Sequence, residues 1–119
     1  MSEKLITLIN DFHPKPYGRY NKDCPTCPET SGEAFRTKIL AKDLRAFDKV
    51  IVDLSGRNRY GRSFLDEAFG GLIRKDGFTK LDLDNKLIYK HDNLESILII
   101  IEDRIKKAEQ FRISGKELD

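Results

Sequence analysis

The residues best suited to chemistry cluster between positions 57 and 67. Arg57, Arg59 and Arg62 place three guanidinium groups within six residues, beside the expected start of a helix. Guanidinium forks suit bidentate recognition of phosphate or carboxylate, and a helix N-terminus already favours anions. An anion, a nucleotide phosphate or an acidic protein surface could therefore sit there. The stretch is no P-loop, because GxxxxGK[ST] is absent. Ser63 stands where an N-cap belongs, with Asp66 at capping-box spacing. Asp66 and Glu67 fall in the first helical turn, where carboxylates interact favourably with the helix dipole. To act as catalytic carboxylates they would need a companion nucleophile or metal set, and the sequence offers none.

Cys24 and Cys27 form a C-x-x-C in a proline-rich stretch. A structural zinc needs four ligands, and only His13 and His91 remain as further soft donors. A thioredoxin-type pair opens a helix directly after a strand, whereas Pro28 follows this one. The pair reads as loop cysteines, free or closed into an opportunistic disulfide or metal site. Zinc shared across a dimer, or a thiol sensor, are the alternatives. His13 and His91 read as ordinary polar residues.

The elements that must hold these groups are legible on either side. Val50, Ile51 and Val52, ending at Asp53 and Leu54, suit a strand covered on both faces, as in a parallel sheet. Phe64, Leu65, Ala68, Phe69, Leu72 and Ile73 make a double apolar row that can lie flat on such a sheet. Gly70 and Gly71 within that helix let its backbone approach a neighbour. Upstream, residues 4–9 read as a first, edge strand, and 11–30 as a long loop holding all four prolines. Loops of that length in compact domains are functional or mobile. A helix begins near Ser31, with Thr30 and Glu33 at capping-box spacing, and runs to about residue 46.

Downstream, Gly77 is placed to end the central helix. Residues 79–84 are read as a helical turn and 87–91 as a strand. Asp92 or Asn93 caps a last helix, with Glu95 completing a box with Asp92. Leu94, Ile97, Leu98, Ile101 and Ile105 face inward, while Ile99 and Ile100 widen the stripe. That helix is then deeply buried or partly in a subunit interface, so a homodimer is one expectation. Residues 111–119 are expected to fray.

The chain has 119 residues, consistent with a single domain spanning 1–119. With 22 basic and 20 acidic residues it lacks the strongly basic balance of a nucleic-acid binder. No apolar run approaches the roughly 18–20 residues needed to cross a bilayer, and the N-terminus has no signal-peptide layout. A cytoplasmic protein without membrane segments or a cofactor is expected. The alternation of strand and helix indicates α/β layering with right-handed crossovers.

Three segments carry a family resemblance. SGEAFR at 31–36, the apolar strand ending at Asp53, and YGRSFLDEAFGG at 60–71 resemble a STAS-like bacterial domain family of unknown function. That family is related to the anti-sigma-factor antagonists and to the cytoplasmic domains of sulphate transporters. The resemblance covers roughly residues 4–110, and S-F-x-x-E-x-F-G at 63–70 is its most specific part. It implies an α/β, STAS-like fold, a small, mixed but mostly parallel sheet with helices packed on it. It also implies non-catalytic, regulatory protein–protein interaction of the anti-sigma-antagonist type, with an ATP-binding kinase-like or sensor protein as partner. Ser63 would be the phosphoacceptor, and Arg57, Arg59, Arg62, Ser63, Asp66 and Glu67 the surface presented to the partner. The alternative reading of the same residues is an anion- or nucleotide-binding module.

Overall fold

The computed structural model describes residues 2–115. Three strands, β1 (Glu3–Thr7), β2 (Lys49–Asp53) and β3 (Leu87–Lys90), form a parallel sheet in the order β1-β2-β3. Thr7 passes into a single turn, α1 (Leu8–Asp11), and a second short turn, α2 (Cys27–Thr30), closes the long loop. Helix α3 spans 32–46 and α4 spans 62–74, each α-helical at its ends and widened to π-helical turns at Arg36–Leu40 and Asp66–Gly70. Helix α5 is Lys80–Lys86 and α6 is Glu95–Ser114. This is an α/β, STAS-like architecture.

Ile6, Val50, Val52 and Leu87 point into the core. Their neighbours do not. Leu5, Ile51 and Ile88 stand in register across the three strands, with Leu5 53% and Ile88 46% exposed and Ile51 half-buried. The sheet is thus covered on one face, where the apolar run of β2 predicts cover on both. Right-handed crossovers repeated in one direction across a sheet place every connecting helix on the same side. An apolar triplet looks the same in either arrangement, so the triplet alone does not distinguish them.

On the covered face, Phe35 of α3 and Phe64 and Phe69 of α4 meet Phe12, Tyr60 and Tyr89 in a chain of ring contacts 5.2–6.5 Å between centroids. Each buried phenyl contributes on the order of 1.5–3 kcal/mol of apolar burial. Gly32 brings the two helices into backbone contact: a Cβ there would lie 2.4 Å from Phe64 O and 3.0 Å from Ala68 N. The cap of α3 is Ser31, whose Oγ accepts from Ala34 N–H at 3.0 Å. Thr30, the expected cap, instead donates its hydroxyl to Tyr17 O at 2.9 Å.

The stretch expected as a turn at 79–84 is a full helix, opened by a capping box between Thr79 and Asp82. In α6, Ile97, Ile101, Ile105 and Ala108 pack inward while Ile99 is exposed, so one stripe is buried and not the whole circumference. The helix continues through 111–114, which fraying would have unwound, and residues 116–119 lie outside the described residues. Among the described residues, no helix is long and apolar enough to cross a membrane.

Candidate functional site

Helix α4 begins two residues earlier than its cap-type residue, Ser63, suggests. Leu65 N–H donates to Gly61 O at 3.1 Å, which makes Gly61 the N-cap and places Ser63 inside the first turn. The cause is Tyr60. Its buried ring joins the phenyl chain and its hydroxyl donates to Leu54 O at 2.8 Å, tying the end of the loop to the end of β2. Burial pushes the Tyr60 pKa up to about 12, so the phenol is a permanent neutral donor. With Tyr60 fixed, the chain enters the helix at once, and Ser63 caps nothing. Its hydroxyl faces solvent.

The arginine beside that hydroxyl is Arg19, from the long loop. Its Nη2 lies 3.4 Å from Ser63 Oγ, and its Nη1 forms a short charge-assisted hydrogen bond to Asp66. Asp66 does not return to the helix start to complete a capping box. It turns inward, where Arg74 reaches it at 3.2 Å and Arg104 of α6 at 3.8 Å. Burial disfavours its charge, and the hydrogen bond from Arg19 with the charge of Arg74 outweigh burial, holding the carboxyl below the usual range. Arg19 is correspondingly raised: burial opposes its charge, and Asp66 more than offsets it.

Glu67 lies deeper and is fully buried. Arg36 approaches it at 3.2 Å, Lys75 at 3.1 Å and Arg74 at 3.6 Å. Arg36 is itself buried and bridges on to Asp76 at 3.2 Å. The two π-helical turns thus meet across a charged seam, Arg36 on one side and Asp66 and Glu67 on the other. Single π-helical turns recur at functional positions because they re-aim side chains. Gly71 makes room for Arg36, whose Nη1 would lie 2.9 Å from a Cβ there, and Gly70 lets the α6 backbone approach, with Arg104 O 3.3 Å from the same hypothetical atom. The close approach expected of these glycines is therefore present. The placement of Asp66 and Glu67 on an exposed partner-facing rim is not: both carboxylates are internal and already paired.

The three arginines of 57–62 diverge. Arg57 donates from Nε to Arg59 O at 2.8 Å and from Nη1 to Pro14 O at 3.4 Å, so it clamps the loop. Arg59 and Arg62 are exposed. Arg62 leans toward α6, where the Arg104 hydrogen bond and, less strongly, the charge of Arg62 hold the Asp103 carboxyl below its usual range.

His91 has a structural role that the sequence did not reveal. Its side chain is wholly buried. Nε2 lies 2.7 Å from Arg57 O, and Nδ1 lies 3.0 Å from both Asn93 N and Leu94 N. With Nε2 donating and Nδ1 accepting, one ring joins the 55–62 loop to the turn before α6. It fixes the turn that precedes α6, whose N-cap is Leu94 with no side-chain cap in place of the expected Asp92 or Asn93, and Asp92 N–H goes to Ser55 Oγ at 3.0 Å. Leucine is not a usual cap residue, so cap preferences give no signal for this helix start.

Cys24 and Cys27 are joined in a disulfide. A sulfur in that bond is not a thiolate ligand, which removes the zinc reading for this form of the pair. Among the described residues, no three His, Cys, Asp or Glu side chains gather to hold a metal ion.

The geometry defines a one-sided parallel α/β domain whose central helix presents a hydroxyl and a loop arginine at its amino end. The family described as a STAS-like domain of unknown function (DUF4325) matches residues 31–97, more than half of the chain, and the chain belongs to that family. The matched stretch runs from the cap of α3 to the first turn of α6. It leaves out β1 and the loop that carries Arg19 and the cysteines. No curated protein and no solved structure matches the chain.

Proposed function

We propose that this domain is a non-catalytic regulatory module that binds a protein partner through the 55–63 loop and the first turn of α4. Phosphorylation of Ser63 by an ATP-binding kinase-like partner resets that surface. The observation that carries the reading is the placement of Ser63: solvent-exposed, in the first turn of a 13-residue helix, with the Arg19 guanidinium 3.4 Å from its oxygen. Phosphate there gains about −1.5 to −2 charges where the helix dipole and free N–H groups favour them. Arg19 and the exposed Arg62 are its nearest cationic candidates.

The paired carboxylates support a switch that preserves the fold. A phosphate competes with Asp66 for Arg19, and charge-assisted hydrogen bonds of this type are roughly twice as strong as neutral ones. If Arg19 turns outward, Asp66 keeps Arg74 and Arg104, so no buried charge is left alone. The loop that carries Arg19 then changes its docking, which alters the surface offered to the partner. A stand-alone anion or nucleotide site at Arg57, Arg59 and Arg62 is disfavoured, because Arg57 is committed to two carbonyl groups.

The test is affinity capture from the source cell with wild type, Ser63→Glu and Ser63→Ala. The proposal expects a partner set held by Ser63→Ala and depleted or replaced with Ser63→Glu. Identical sets for all three would remove the switch.

A further inference from the structure

The disulfide joins two walls of the long loop. Cys24 ends the segment that carries Arg19, and Cys27 opens the turn that leads into α3. The walls are laced by hydrogen bonds: Tyr17 N to Thr30 O at 2.9 Å, Gly32 N to Gly18 O at 3.0 Å, Glu33 N to Arg19 O at 3.0 Å, and Asn21 N to Glu33 Oε1 at 2.9 Å. Ser31 Oγ adds a bond to Asn21 Oδ1 at 2.7 Å. All of these lie between residues 17 and 33, and Arg19, which holds Asp66 and touches Ser63, is in their midst.

Cys27 is buried, and its sulfur is wedged against Gly18: a Cβ on Gly18 would lie 2.6 Å from Cys27 Sγ. Gly18 has φ +94°, which side-chain-bearing residues rarely adopt, so the wall fits the sulfur only with glycine there. Cys24 is half-buried and is the sulfur a reagent can reach. Two sulfurs that are no longer bonded need more room than a bond of about 2.05 Å. Cys24, the less buried of the two, is the one free to move away.

We propose that Cys24–Cys27 is a redox-operated staple, and that its reduction by a dithiol loosens residues 17–24 from the start of α3 and releases Arg19 from Asp66 and Ser63. The thiolate of the dithiol attacks Cys24 Sγ. The S–S bond breaks, its electron pair leaves on Cys27 Sγ, and a mixed disulfide forms at Cys24. The second thiolate of the reagent attacks its own sulfur in that mixed disulfide and expels Cys24 Sγ, so the reagent departs as a cyclic disulfide. Two electrons pass to the protein, and the two protons of the dithiol end on Cys24 and Cys27 through solvent. In the disulfide, Cys27 Sγ lies 3.8 Å from Tyr17 O, so the new S–H is placed to compete with the Thr30 hydroxyl for that carbonyl and weaken the lacing further.

This inference goes beyond the reading of Ser63 and does not depend on it. The test is amide hydrogen exchange on the full chain with and without a small-molecule dithiol, following Gly32 and Glu33, whose N–H groups bond to Gly18 O and Arg19 O, and Val52 as a core reference. Reduction is expected to speed exchange at Gly32 and Glu33 at least tenfold and leave Val52 unchanged. The Cys24→Ser/Cys27→Ser double variant should match the reduced protein, and Ser63→Ala should respond as wild type does. Equal protection at Gly32 and Glu33 in the oxidised and reduced protein would overturn the proposal. So would a pair that stays unbonded, by intact mass, when the reduced protein is freed of dithiol and exposed to excess oxidised glutathione.

Discussion

Ser63 and Glu67 stand one turn apart on α4 and share nothing else. Ser63 faces water and touches a single loop arginine, whereas Glu67 has no exposed surface and is enclosed by Arg36, Arg74 and Lys75. One turn of helix thus separates a group that a partner can reach from a group that only the fold can use. Carboxylates near a helix start are ordinarily read as surface charges serving the dipole. Here the helix rotates them under α3 and α6, and the accessible chemistry is left to a hydroxyl. An ion pair that deep is costly to break and stabilises mainly by being complete.

The comparison breaks most visibly at Glu67. Glu67→Ala leaves Arg36 buried with Asp76 still paired to it, and the expected loss is about 3 kcal/mol of unfolding free energy in denaturant titration, the low end for a broken buried pair. Arg36→Met with Glu67→Leu removes both charges and recovers most of that loss. A single variant within about 0.5 kcal/mol of wild type would show that the seam contributes nothing.

A pH series sharpens the same contrast. The folded pKa of Asp66 is depressed, so its contribution to stability is present above its unfolded value of about 3.9 and is lost as pH falls through the lower folded value. Below about pH 4, Asp66→Asn should therefore flatten part of the fall in stability that wild type shows. Ser63→Ala should trace the wild-type curve throughout. Overlapping profiles for wild type and Asp66→Asn would contradict the pairing with Arg19 and Arg74.

His91 provides an intermediate case, because it supports the candidate surface from beneath. His91→Ala strands Arg57 O and the N–H groups of Asn93 and Leu94, and a loss of about 1–3 kcal/mol is expected, in the range of buried polar groups left without partners. The exchange of those two amides should quicken. Ser63→Ala closes the series with a change within about 0.5 kcal/mol, since the hydroxyl caps nothing. A larger loss there would mean that the group is structural.

Much of the frame was legible before any coordinates. β2 and α4 followed from a β-branched run and an i, i+4 double row, and α3 and α6 from their apolar stripes. The seam was not legible, for a physical reason. Periodicity assigns charged residues to the outside, and the cations that bring Asp66 and Glu67 inside come from 47 and 31 residues away. Arg74 and Lys75, each eight residues on along the helix, were the one local hint. The cap of α4 moved to Gly61 because Tyr60 is anchored through its ring and hydroxyl, a tertiary fact that cap preferences do not contain. The bare face of the sheet escaped notice because Leu5, Ile51 and Ile88 are as apolar as the core residues beside them.

The most direct measurement places phosphoserine at position 63 and follows the Arg19 Nε–H resonance by NMR across pH. The account predicts that this signal shifts relative to the unmodified protein and titrates with the second ionisation of the phosphate, near pH 6, as Arg19 exchanges Asp66 for the new dianion. The core amides of β2 should stay in place. An Arg19 signal that ignores the phosphate and remains as it was beside Asp66 would contradict the account.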